Sequence, residues 1–155
     1  MIKLYAIILA IFVLFLDQIT KLFVLDFLRD GSILINNNFN LVLVYNTGIS
    51  FSLFQMNSYS GQLILASLGG LIVIFLFLWL LKLKNVFHSL ALGLIIGGAL
   101  GNIFDRIIRG GVIDFIDLHI FDYHWPAFNF ADSAIVVGAL GIIYKGFFKN
   151  KTKKI

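Results

Sequence analysis

The sequence predicts a membrane α-helical fold: four transmembrane helices with a small extracytoplasmic β-platform. Three observations predict it. The chain is 60% hydrophobic with only 13% charged residues and a mean hydropathy of +0.98, outside the range of an ordinary soluble domain. Its apolar residues gather into long runs. Its charges fall between those runs and sort by side. With 155 residues there is room for one compact membrane domain, 1–155, and no linker or long-period repeat divides it.

The first span covers about 4–25, opening with the uncharged run Leu4–Leu16 and followed by Asp17 and Lys21 one turn apart. That spacing predicts an i,i+4 ion pair at the membrane surface. No A-x-A-like cleavage site follows, so the run reads as an uncleaved helix. The second span, 63–81, holds nineteen uncharged residues, close to the ~20 that cross a bilayer. Lys82 and Lys84 close it, and Trp79 suits the interfacial belt. The third, 89–107, carries Gly93, Gly97 and Gly101 every fourth residue, a stripe that admits a neighbouring helix. Asn102, Asp105 and Arg106 end it. The fourth, 132–148, begins at Asp132, where the helix dipole favours an anion, and Lys145 can snorkel at its far end.

The outer segments are 26–61 and 109–130. The first contains Phe39, Leu41, Leu43 and Tyr45 with period two beside the Asn36-Asn37-Asn38 turn cluster, a strand signal. The second contains the β-like run Val112–Ile116, then Trp125-Pro126-Ala127-Phe128.

Charge orients the chain. With four spans, eight Lys (3, 82, 84, 145, 149, 151, 153 and 154) share one side with no acid. Lys21, Arg29, Arg106 and Arg109 share the other with all eight Asp; the chain has no Glu. Basic flanks stay cytoplasmic, so both termini are expected inside and the Asp-rich face outside. The basic tail reads as an orientation signal in contact with lipid headgroups, not as a nucleic-acid site. The Asn150-Lys-Thr sequon falls on that tail and is set aside.

Absence of cysteine removes disulfides, thiol nucleophiles and cysteine-ligated zinc. Asp114, in Gly-Val-Ile-Asp-Phe-Ile, and Asp132, in Phe-Asn-Phe-Ala-Asp-Ser, stand among apolar residues, where a carboxylate costs at least ~2.5 kcal/mol and usually has a function. If the third and fourth spans are neighbours the two can meet, share a proton and act as base and acid toward a peptide bond. Asn102, Asp105, Arg106 and Asn129 cluster at the same level. Arg106 is expected to clamp Asp105, with direct contact to a reacting group as the alternative. Asn102 and Asn129 read equally as donors to a carboxylate or substrate carbonyl and as caps. Asn46 and Gly48 read equally as a turn and as a backbone-binding site. His119, Asp122 and His124 lie in a loop without helical ligand spacing and are expected to be solvated, with no metal. Ser50, Ser60 and Ser133 lack the context of a nucleophile elbow. Carboxylates in a membrane also serve transporters and proton channels. That rival needs acids through both leaflets, and the inner halves of the spans have none. A binding scaffold without turnover is a third class.

Five segments together resemble the lipoprotein signal peptidase (signal peptidase II) family, over nearly the whole chain. They are Asp17-Gln18-Ile19-Thr20-Lys21; Asn46-Thr47-Gly48 with Phe51; Gly97-Gly98-Ala99-Leu100-Gly101-Asn102-Ile103-Phe104-Asp105-Arg106; Val112-Ile113-Asp114-Phe115; and Phe128-Asn129-Phe130-Ala131-Asp132-Ser133. Ser50 departs from the small apolar residue common there. The resemblance implies an intramembrane aspartyl endopeptidase of the bacterial cytoplasmic (inner) membrane. It implies Asp114 and Asp132 as the catalytic pair, and removal of signal peptides from diacylglyceryl-modified prolipoproteins before the lipidated cysteine. Asn46, Gly48, Asn102, Asp105, Arg106, Asn129 and Ala131 would bind substrate or support the dyad, with Asp17 and Lys21 a structural pair. No cofactor is required. The expected partners are prolipoproteins and membrane lipids, no nucleic acid, and the chain is expected to be a monomer.

Overall fold

The computed structural model describes residues 1–28, 31–48 and 55–149, so Arg29, Ser50, Phe51 and the basic tail from 150 onward lie outside the described residues. Four helices carry the chain: α1 (Ile2–Leu28), α2 (Tyr59–Lys82), α3 (Val86–Arg109) and α4 (Phe130–Lys149). Four strands lie between them: β1 (Ile33–Asn36), β2 (Phe39–Asn46), β3 (Val112–Ile120) and β4 (Tyr123–His124). The helices overrun the expected spans by up to a turn because polar caps lie beyond the apolar runs. Ser58 accepts from Gly61 N at the start of α2, and Asn85 accepts from His88 N at the start of α3. Gly110, in the left-handed region at φ 70°, stops α3 and turns the chain into β3.

α1, α2 and α3 are each long and apolar enough to cross a membrane. The 24 residues of α2 span about 36 Å, and their exposed face is Leu68, Leu71, Ile72, Phe75 and Leu78. A continuous apolar face of that size is at home in hydrocarbon. α3 is the central helix, packed on the other three. The glycine stripe explains how. A Cβ on Gly97 would lie 2.5 Å from the Ala10 carbonyl oxygen, and one on Gly93 2.6 Å from that of Ala6, so α1 touches α3 backbone to backbone. Gly138 of α4 meets Ala91 of α3 in the same way.

The strands form one antiparallel sheet in the order β1-β2-β3-β4. The expected strands at 39–45 and 112–116 are its centre; β1 and β4, too short to show periodicity, extend it. Val44, Tyr45 and Asn46 pair with Asp114, Ile113 and Val112, and a bulge in β2 between Leu41 and Val44 sets that register. Ile113 and Phe115 pack on Val24 and Leu28, so the sheet rests on the end of the bundle where α1 stops and α4 begins.

Candidate active site

Asp114 is the third residue of β3 and Asp132 the third of α4. Register brings the β2 end to the first: Asn46 Nδ2 donates to Asp114 Oδ2 at 2.9 Å. Asn129, just before α4, joins the two carboxylates. Its Nδ2 donates to Asp114 Oδ1 at 2.7 Å, and its backbone N–H donates to Asp132 Oδ2 at 3.2 Å. The Asp132 N–H returns a bond to Asn129 Oδ1 at 2.9 Å. Asn129 is therefore the N-cap of α4 and Asp132 its N3 partner, a capping box with Asp in place of Glu. Both readings of Asn129 hold, cap and carboxylate donor. Asn102 Nδ2 donates to Asp132 Oδ1 at 2.8 Å, and its Oδ1 accepts from Asn129 Nδ2 at 3.2 Å.

Asp114 is 2% exposed. Burial first, and the charge of Asp132 second, push its carboxyl up to about 7, against the opposing hydrogen bonds of Asn46 and Asn129.

Arg106 does not clamp Asp105. Neighbours on a helix point about 100° apart and cannot face each other. The Arg106 guanidinium instead donates to Gly48 O at 2.7 Å and to Asn102 O at 3.1 Å, within electrostatic reach of both Asp114 and Asp132. Its buried Nε has no hydrogen-bond partner among the described residues. Gly48 N donates to Asn46 Oδ1 at 2.9 Å, so the Asn46–Gly48 turn both aims Asn46 and seats Arg106.

Asp105 faces α1. Lys21 Nζ lies 2.8 Å from Asp105 Oδ2 and 2.8 Å from Asp17 Oδ2, all three side chains 0% exposed. The expected Asp17–Lys21 pair forms, but inside the helix bundle and not at its surface, because Gly101 of α3 leaves room for Asp17. Arg109 pairs with Asp105 on its other oxygen, and Gln18 bridges the two aspartates at 3.0 and 3.2 Å. The cluster also holds backbone. Asp17 Oδ1 accepts from the N–H of Ala131 at 3.0 Å, and Asp105 Oδ2 from the N–H of Ile113 at 3.2 Å. Each donor immediately precedes one of the two aspartates, Asp132 and Asp114. Ala131 is thus fully buried and acts through its main chain. Lys21 Nζ also donates to Asn102 Oδ1 at 3.1 Å, linking this cluster to the Asp114–Asp132 pair.

Sequence reasoning missed Gln18, Arg109 and Gln62. Gln62, 0% exposed in a helix otherwise read as plain hydrocarbon, donates to the carbonyls of Thr47 and Met56 at 2.8 and 2.7 Å and ties both ends of the 47–56 connection to α2. A lone buried amide beside an apolar run was its signal. In the hairpin, Asp117 rather than Asp122 joins His119 and His124. Burial pushes the Asp117 carboxyl up, but hydrogen bonds from His124 and Asn40 outweigh that and hold it below the usual range.

The family model for signal peptidase (SPase) II matches residues 9–148. The chain belongs to the signal peptidase II family. It is accordingly a peptide hydrolase. It is 46% identical over 149 residues to the lipoprotein signal peptidase of Thermodesulfovibrio yellowstonii, covering 95% of this chain and 98% of that one. To the lipoprotein signal peptidase of Francisella tularensis subsp. novicida it is 41% identical over 153 residues, covering 96% and 95%. A bacterial membrane enzyme solved by the in meso method at 2.3 Å superposes with a TM-score of 0.76 at 30% identity, over 97% of this chain and 92% of that one. A second, solved at 1.9 Å, gives 0.73 at 31% identity, over 91% of each. Signal peptidase II membership thus agrees with the five segments read from the sequence.

Proposed function

We propose that this signal peptidase II hydrolyses lipid-modified prolipoproteins with Asp114 and Asp132 as an aspartyl dyad, cutting before the lipidated cysteine. The observation that carries the dyad is the pair of carboxylates joined through Asn129, one of them pushed up to about 7. Two carboxylates served mainly by neutral amides retain one proton between them near neutral pH. The ionised member takes a proton from water as the oxygen attacks the scissile carbonyl, and the protonated member gives its proton to the carbonyl oxygen. The resulting gem-diol collapses, the C–N bond breaks, and the amine leaves with a proton returned from the dyad. The unpartnered Nε of Arg106 is the donor proposed for a substrate carbonyl.

The membrane arrangement belongs to the same proposal. α4 is the fourth span of a single domain, both termini are cytoplasmic, and the sheet with the dyad faces outward, where a signal peptide's cut point emerges. Support comes from the lysines at the opposite end of the bundle, Lys82, Lys84 and Lys145. The apolar face of α2 lets a diacylglyceryl substrate approach sideways while its acyl chains stay in lipid.

Purified D114N and D132N are expected to lose at least ~10³-fold in cleavage of a diacylglyceryl-modified precursor while melting as cooperatively as the parent. Substantial cleavage by either variant would overturn the dyad.

A further inference from the structure

The hairpin that leads into Asn129 carries a second concentration of chemistry. β3 and β4 are antiparallel, and His119 is the direct cross-strand partner of His124. Asp117 lies two residues before His119 on β3 and so projects from the same face. The result is one carboxylate and two imidazoles whose ligand atoms all lie within 4.8 Å of one another. His124 Nδ1 is 2.8 Å from Asp117 Oδ1, and His119 Nδ1 is 3.9 Å from Asp117 Oδ2.

Two details separate this cluster from an ordinary surface ion pair. The His119 side chain is only 10% exposed, yet its Nδ1, turned toward the carboxylate, has no hydrogen-bond partner among the described residues. A buried imidazole nitrogen in that state has a partner to gain, and in the tautomer with Nδ1 unprotonated that partner can be a cation. Asp117 is also held from behind: Asn40 Nδ2, on the neighbouring strand β2, donates to its Oδ2 at 2.9 Å. An outer hydrogen bond that fixes a carboxylate's orientation is the usual support of a metal ligand.

We propose that Asp117, His119 and His124 form a binding site for a divalent transition-metal ion, Zn²⁺ being the probe of choice. Two nitrogens and one oxygen suit an ion of borderline softness, and with no cysteine in the chain the softest ligand is excluded. The rings of His119 and His124 now stack with centroids 4.7 Å apart, so one must tilt to aim both Nδ1 atoms at a single ion. His124, with its side chain 51% exposed, has the freedom to do so. Three protein ligands leave a fourth position for water. The ion would lock β4 onto β3 and so brace the segment that returns Phe128 to pair with Ile116 and delivers Asn129 to the dyad. The site stands apart from the hydrolytic reading: its failure leaves the dyad untouched, and the reverse also holds.

The test is Zn²⁺ titration of the tag-free, chelator-stripped full-length protein in detergent, by calorimetry and by thermal melting. One ion per chain is expected, with a melting temperature that rises with Zn²⁺ concentration. H119A, H124A and D117N are each expected to weaken binding at least ~10-fold, and H88A, at the opposite end of the bundle, to leave it unchanged. Stoichiometric binding that survives H119A and H124A would overturn the proposal, as would no saturable binding by the parent protein.

Discussion

Two pairs of aspartates, all buried except the half-buried Asp132, sit at the same end of the bundle, and they are treated in opposite ways. Asp17 and Asp105 share the Lys21 ammonium, and Asp105 also holds Arg109. With every member ionised, that cluster is neutral. Asp114 and Asp132 receive the amides of Asn46, Asn102 and Asn129 and no direct cation among the described residues. Arg106 and, for Asp114, Lys21 lie within electrostatic reach, and Lys21 is already matched in the first cluster, so the second set reaches neutrality by keeping a proton. The difference teaches how one fold uses the same side chain twice. Paired with ammonium, the carboxylates are fixed acceptors that anchor the N–H groups of Ala131 and Ile113. Given amides and no directly paired cation among the described residues, the next residue along each strand of chain is the one proposed as an acid–base group.

Breaking the compensated cluster should have the largest effect. Lys21→Met leaves the buried Asp17 without a cation and Asp105 with Arg109 alone, and is expected to cost about 3–5 kcal/mol, the usual penalty for removing one partner of a buried ion pair. Thermal melting in detergent should show a drop of roughly 10 °C, with partial recovery in Lys21→Met/Asp17→Asn. A melt unchanged by Lys21→Met would mean that the cluster carries no net charge compensation.

The next largest effect concerns the link between the dyad members. Asn129→Ala removes the donor to Asp114 and the cap of α4, and a loss of about 10²-fold in kcat is expected, as for other single preorganised donors. Because that hydrogen bond favours the ionised carboxylate, its loss should raise the Asp114 pKa. The alkaline limb of the kcat–pH profile, expected near 7 in the parent, then moves upward. A limb that stays in place would show that Asn129 acts only as a cap.

The smallest effect is on stability. Asp114 rises from 3.8 to about 7 on folding, so the folded protein binds its proton more tightly than the unfolded chain does. That contribution is complete below pH 4 and lost as pH climbs through 7. Asp114→Asn lacks the ionisation, so at pH 8 it should melt a few degrees above the parent, with the gap closing toward pH 4. A variant no more stable than the parent at pH 8 would argue that Asp114 is well compensated after all.

How legible all this was depends on the range of each interaction. The helix cores, the strands at 39–45 and 112–116, the Gly93–Gly97–Gly101 stripe and the Asp17–Lys21 spacing are local patterns, visible as soon as residues are counted. Arg106 shows the limit. Adjacency to Asp105 suggested a clamp, but the helical rotation between neighbours sends one side chain to α1 and the other to the Asn46–Gly48 turn. The hairpin shows another: Asp122 lies between the two histidines in sequence, whereas strand alternation puts Asp117 beside them.

The sequence by itself determined a helical membrane protein with its acids at one end, and marked Asp114 and Asp132 as the residues to watch. Hydropathy, spacing and charge asymmetry are properties of short stretches, and short stretches suffice to read them. Only the tertiary structure decided which aspartates meet a lysine and which meet asparagines. That choice hangs on contacts between residues 15 to 114 positions apart, such as Asn129 with Asp114 and Ala131 with Asp17, which exist only once α3 has drawn α1 and α4 against its glycines.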